Sequence, residues 1–176
     1  MNDKQQLYDY WGVDYRVKRA KRLTEEEKEL SKYCEKGKVL DIGCGGMKCH
    51  PNCIGVDIHE DSVAEIKADC TNLNMFKDEE VDAIVSSHTL EHMPDFISVL
   101  KEWKRVLKVG GIMAIAVPDG EKKPKYIIKN SHKVNLGLGT LRMVFKYLLG
   151  MKIIRLENIK KNNPNKFVAL IVAVKR

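Results

Sequence analysis

Three acidic residues and a glycine-rich turn carry the strongest chemical signal in the first half of the chain. Asp41-x-Gly43-x-Gly45 follows the apolar stretch Lys38-Val39-Leu40. Glycines there let the backbone approach a ligand closely, with no Cβ in the way. Asp41, at a strand end, can accept a hydrogen bond from an ammonium group. Asp57 stands sixteen residues further on, at the end of Ile54-Gly55-Val56. A carboxylate in that position can accept both hydroxyls of a ribose. Asp69 ends a third, weaker stretch, Ala64 to Asp69, and could reach an adenine exocyclic amine. Taken singly, these are a glycine turn, a surface acid and a loop acid. Together they describe a site for a nucleoside.

A second group can move protons. His88, Glu91, His92 and His132 are candidate bases, and imidazole titrates near neutrality. His88 ranks first. Glu91 and His92 serve equally well to order a loop and the start of a helix, and His132 falls in a polar loop. The cysteines invite a metal reading, because Cys44, Cys49, His50 and Cys53 are close together. The C-x4-C-x3-C spacing lacks the paired C-x2-C of zinc knuckles. The cysteines read as small, semi-buried thiols in a tight loop, and no metal ligand set is assigned.

The elements that must position these groups follow from apolar patterning. Short strands are expected at Lys38–Ile42, Ile54–Ile58, Ala64–Asp69, Val81–Ser86 and Ile112–Val117, apolar on both faces as in a buried parallel sheet. Between the last two, Phe96, Ile97, Leu100, Trp103, Val106 and Leu107 recur at helical spacing, with Gly110-Gly111 as the stop. Thr24 and Glu27 have the capping-box spacing of an earlier helix that Gly37 would end. Leu138–Leu149 reads as a helix with Thr140 as its cap. Lys152–Ile159 and Phe167–Val174 read as an antiparallel hairpin turned by Asn162-Asn163-Pro164-Asn165. Only seven residues separate Gly46 from the second strand, too few for a crossover helix, so at least one helix should be reduced to a turn.

The bulk properties bound the function class. The 176 residues suit one domain, and 44% hydrophobic with 31% charged residues is the balance of a chain that buries a core. No apolar run is long enough to span a membrane, and the first residues lack a signal-peptide pattern, so a soluble cytoplasmic protein is expected. Charge is uneven: residues 121–176 hold 14 Lys and Arg against 2 acids, while the first 120 residues are net acidic. Such a third can bind an anionic partner or be merely solvated. A nicotinamide site is disfavoured, because G-x-G-x-x-G would need glycine where Lys48 stands.

Residues 39–119 resemble a class I S-adenosylmethionine (SAM)-dependent methyltransferase, in particular the compact type 11 branch. The likeness rests on Val39-Leu40-Asp41-Ile42-Gly43-Cys44-Gly45-Gly46, on Gly55-Val56-Asp57-Ile58 and on Asp82-Ala83-Ile84-Val85-Ser86-Ser87-His88-Thr89-Leu90-Glu91-His92. Trp103 to Gly111 and Ile115-Ala116-Val117-Pro118-Asp119 extend it. The resemblance implies a Rossmann-like α/β fold, a mostly parallel seven-stranded sheet with a C-terminal antiparallel hairpin. It implies one domain over 1–176, with 1–37 as a helical arm or lid, 38–119 as the SAM-binding core and 120–176 as basic loop, helix and hairpin. Its cofactor would be SAM. Gly43, Cys44 and Gly45 would pass under the methionine part, and Asp41 would hold the amino group through water. Asp57 would bind the ribose, Ile58 the adenine face, and Asp69 and Cys70 the adenine edge. Ser87 and His88 would lie near the reactive methyl. The expected reaction is methyl transfer to an oxygen or nitrogen acceptor, most simply a small molecule, by a monomer or homodimer. The alternatives are a SAM-binding module without catalysis and a nucleic-acid-binding protein using residues 121–176.

Overall fold

The computed structural model describes residues 23–122, 132–160 and 167–176. The aromatic run Tyr8–Tyr15, the middle of the polar loop and the Asn162–Asn165 turn lie outside the described residues. Seven strands form one sheet: β1 (Val39–Ile42), β2 (Ile54–Asp57), β3 (Ile66–Lys67), β4 (Val81–Ser87), β5 (Leu107–Pro118), β6 (Lys152–Lys160) and β7 (Phe167–Val174). Their order is β3-β2-β1-β4-β5-β7-β6. The pairs from β3 to β5 are parallel, and β7 runs antiparallel to both β5 and β6. This is the Rossmann-like sheet with an antiparallel end that the sequence led us to expect.

Alternation along each strand sends side chains to two cores. On one face, Leu40, Ile42, Ile84, Met113, Ile115 and Ile171 meet α2 (Phe96–Val106) and α3 (Leu138–Met143). On the other face, Val39, Ala83, Val85, Ala114, Ala116 and Leu170 meet Leu30 of α1 (Glu25–Ser31) and Cys34 just beyond it. The alanines on that second face leave room for α1 to lie close. Trp103 is fully buried on α2, and its indole N–H donates to the Cys70 carbonyl at 2.9 Å, which ties the segment after β3 to the helix layer.

Local chemistry explains most boundaries. Thr24 Oγ1 accepts the Glu27 N–H, and Glu27 accepts the Thr24 N–H, closing the expected capping box. The helix ends at Ser31, well before Gly37, and Gly37 (φ 79°) instead turns the chain against the Asp82 side chain. β5 starts at Leu107, directly after α2, so Gly110-Gly111 lies inside the strand and does not precede it. β3 keeps only two of the six expected residues. The links from β1 to β2 and from β2 to β3 contain no helix, as their lengths demand. Cys49 and Cys53 of the first link pack into the α1-side core as free thiols.

The expected cap of the third helix is corrected. α3 begins after Gly137, which offers no side chain, and from Val144 to Leu148 it widens into a π-turn. Glu121 supplies the cap from the end of β5. Its carboxylate accepts the N–H groups of Gly139 (3.0 Å) and Thr140 (2.9 Å) and the Thr140 hydroxyl (3.0 Å). A carboxylate at a helix N-terminus both satisfies free amides and opposes the helix dipole. Replacing it (Glu121→Ala) should lower unfolding free energy by about 1 kcal/mol, and Thr140→Ala by less, because one of three bonds is lost. Urea unfolding of both variants reads the difference, and equal costs would contradict this cap.

Candidate functional site

Strand register places the chemically capable residues at one edge. Ile42 pairs with Val56 on β2 and with Ser86 on β4, so Gly43, Asp57 and Ser87 all emerge together from the C-terminal ends of their strands. The chain leaves β1 toward β2 and leaves β4 toward β5, so the crevice between β1 and β4 is the topological switch point of the sheet. Open α/β sheets bind ligands there.

The glycine turn is built tightly on one side and open on the other. Gly43 (φ 74°) donates to the Val56 carbonyl at 2.7 Å. A Cβ on Gly43 would lie 1.9 Å from Thr89 Oγ1, so only glycine fits. Gly45 (φ 56°) has no heavy atom within 4 Å of where a Cβ would stand, so open space lies beside its backbone. Its N–H donates to Asp57 Oδ2 at 2.8 Å, and its carbonyl accepts the Val63 N–H at 2.8 Å. Asp57 Oδ1 accepts the His59 N–H, also at 2.8 Å. Asp57 therefore joins the glycine turn to the loop after β2, and each oxygen keeps a lone pair.

Asp41 is buried and accepts the Cys49 N–H at 2.6 Å. Burial pushes its pKa up to about 6, partly offset by that N–H. Cys44 turns its sulfur inward against Gly55, and burial, followed by the Asp41 and Asp57 charges, raises its thiol to about 12. Its backbone alone can face the crevice. Ile58 is half-buried beside Asp57. Asp69 and Cys70 are occupied with local structure: Asp69 Oδ1 accepts the Thr71 N–H at 2.8 Å, and the Cys70 carbonyl takes the Trp103 indole. The Ser87 hydroxyl is buried and has no hydrogen-bond partner among the described residues.

After Ser87 the chain makes a second tight turn. His88 has φ 55°, a left-handed conformation that costs a non-glycine residue roughly 1–3 kcal/mol and persists only when its surroundings hold it. Its N–H donates to the Ala116 carbonyl at 2.9 Å. Its ring lies between two carboxylates, with Glu26 Oε1 2.8 Å from Nε2 and Glu91 Oε1 3.4 Å from Nδ1. Burial disfavours the charged ring, yet the hydrogen bond to Glu26 and the nearby Glu91 carboxylate prevail and raise its pKa to about 9. His88 is thus a cation at neutral pH, poorly suited to taking a proton. His132 shifts the other way, its pKa lowered chiefly by burial. His92 and His132 stack edge-on, with ring centroids 5.1 Å apart. Sequence reasoning missed Glu26: one acid of Glu25-Glu26-Glu27 looks like solvent-facing capping charge, yet it is fully buried.

The crevice, glycine turn and strand-end Asp define a Rossmann-like nucleoside-binding domain. Residues 40–115 match the model of a methyltransferase domain family, and that match together with the solved structures below supports a class I SAM-dependent methyltransferase. Methyltransferase GfsG of Streptomyces halstedii is 29% identical over 137 residues, covering 62% of this chain and 49% of that protein. The chain therefore spans about half the length of that curated relative. Among solved structures, a SAM-dependent methyltransferase from Archaeoglobus fulgidus superposes with TM-score 0.64 at 21% identity, covering 85% of this chain and 92% of that one. One from Aquifex aeolicus gives TM-score 0.64 at 18% identity over 100% of both chains. The cofactor this domain class implies is SAM.

Two outcomes test the site's construction. Gly43→Ala should lose at least ~2 kcal/mol more unfolding free energy than Gly45→Ala, since both need a left-handed backbone but only the first meets Thr89. Chemical denaturation that ranked them equal would sink that account. Asp41 has a folded pKa above its ordinary 3.8, so its ionised form lowers stability above about pH 6, and that loss fades as pH falls toward 3.8. Asp41→Asn keeps an acceptor for Cys49. It should be more stable than the parent at pH 8 and lose that advantage by pH 4.

Proposed function

We propose that this protein transfers a methyl group from SAM to an oxygen or nitrogen of a small-molecule acceptor. One observation carries the reading: the glycine turn at the switch point leads into a helix-free link, where a dinucleotide site would need a helix N-terminus for its pyrophosphate. A nucleoside without pyrophosphate has no such need. The open space at Gly45 and the buried Ser87 hydroxyl fit a ligand lying across the turn.

On this reading Gly43, Cys44 and Gly45 offer backbone to the methionine part, and Asp41 reaches the amino group through water. Asp57 turns its remaining lone pairs to the ribose, and Ile58 lies against the adenine. Asp69 and Cys70 border the adenine edge, Asp69 from its half-buried side chain and Cys70 from the core beneath. Ser87 and His88 stand at the methionine end. When bound, SAM supplies an electrophilic methyl on a sulfonium. The chain's part is to align the acceptor with that methyl and exclude water. Glu91, His92 and His132 lie on the acceptor side, and Glu26 ties α1 to His88. Among the described residues no helix is long and apolar enough to cross a membrane, consistent with an acceptor met in water.

Calorimetric titration with SAM, S-adenosylhomocysteine and NAD tests this directly. The two sulfur nucleosides should bind saturably and NAD should give no signal. Asp57→Asn, which keeps an acceptor for the Gly45 N–H, should weaken SAM about tenfold or more through loss of a charged acceptor. Labelled-methyl transfer into small molecules, RNA and protein then identifies the acceptor class. Absence of SAM binding by protein with a folded circular-dichroism spectrum would overturn the proposal.

A further inference from the structure

A buried carboxylate is unfavourable unless donors or a cation satisfy it. Glu91 is 2% exposed, and neither of its oxygens has a hydrogen-bond partner among the described residues. Two imidazoles stand at ion-pair distance from Oε1 without forming a hydrogen bond, His88 Nδ1 at 3.4 Å and His132 Nε2 at 3.9 Å, so the one charge of His88 is shared with Glu26 and Oε2 is left with no donor among the described residues. His92, next in sequence, is itself buried and meets the His132 ring edge-on. One donor atom from each of Glu91, His92 and His132 lies within 4.8 Å of the other two.

The backbone holds this grouping in place. Glu91 and His92 occupy a 3-10 turn (Leu90–His92), with the His92 N–H donating to the Thr89 carbonyl at 3.1 Å. The Glu91 carbonyl accepts the N–H groups of Lys133 (2.8 Å) and Val134 (3.2 Å), which pins His132 over the Glu91 side chain. A tetrahedral ion ~2.1 Å from each donor sets the donors ~3.4 Å apart, so side-chain rotations of about 1 Å suffice to close on one.

We propose that Glu91, His92 and His132 bind a divalent transition-metal ion. Two imidazoles and one carboxylate suit zinc, cobalt or ferrous iron, whereas magnesium and calcium prefer oxygen ligands throughout. Three protein ligands leave coordination positions open. An acceptor hydroxyl bound there would give up its proton to water more readily. That last role rests on the methyl-transfer reading, whereas binding of the ion does not.

The test uses the full chain, stripped with a chelator and titrated with Co2+. Visible d–d absorption reports ligand geometry, and equilibrium dialysis reports stoichiometry. One equivalent should bind, be displaced by Zn2+, and show no thiolate-to-cobalt charge-transfer band. Glu91→Gln and His132→Ala should each weaken binding at least tenfold, and His50→Ala, in the link between β1 and β2 and outside the cluster, should leave it unchanged. His132 lies outside the strands, so its variant keeps the test decisive if Glu91→Gln fails to fold. Absence of cobalt binding by folded parent, a thiolate band, or parent-like affinity in folded His132→Ala would overturn the proposal. SAM calorimetry on the same samples is an independent readout, so the metal site and the methyltransferase reading can fail separately.

Discussion

The carboxylate of Asp57 is the joint on which the binding edge depends. A parallel pair of strands usually needs a crossover of a dozen or more residues, with a helix to cover the sheet. The link from Gly43 to Cys53 is shorter, and so is the one from Ile58 to Glu65. Helical hydrogen bonds therefore cannot hold the glycine turn. Side-chain carboxylates replace them: Asp57 takes amides from both links, Asp41 takes Cys49, and Glu65 takes the Gly55 N–H at 2.7 Å while pairing with Lys48. Removing any of these acids removes a fold contact, so an alanine at Asp57 would not isolate its proposed role in binding a ligand.

The same economy governs the other side of the crevice. Gly43 and Thr89 touch so closely that the turns after β1 and β4 fix each other. The left-handed backbone at His88 is held from three directions: the Ala116 carbonyl on its N–H, Glu26 from the opposite layer, and Glu91 from the turn beyond. The helix on one face of the sheet thereby reaches the turn after β4 through a single ion pair. An element whose core contacts look purely structural, Leu30 against small strand residues, also sets the charge of the site.

Much of the fold was legible because it obeys short-range rules. Apolar runs marked the strands, counting residues exposed the missing helices, and Thr24 with Glu27 announced the first helix. The glycine turn and Asp57 were legible for the same reason, since strand ends carry fixed offsets. What escaped had no local signature. Glu26 is buried by its contact with His88, 62 residues away, and nothing in a triplet of glutamates distinguishes it. The cap from Glu121 displaced the expected Thr140 because a loop brings it back across 18 residues to the Gly139 amide. His88 looked like a base by residue type, and its proton affinity depends on the nearby Glu91 together with Glu26, a distant carboxylate that spacing cannot reveal.

The basic last third is left by composition as either a surface for an anionic partner or a merely solvated one. Several of its cations are committed within the fold. Arg155 pairs with Glu29 at 2.7 Å and with Glu157. Lys175 is largely buried and donates to the carbonyls of Lys104 and Leu107 at 3.0 and 2.7 Å, neutralising the C-terminal end of α2. Lys122 and Lys146 lie over the rings of Phe167 and Tyr147. A phosphate backbone must compete with these partners for each cation, so formal charge overstates the attraction this region offers.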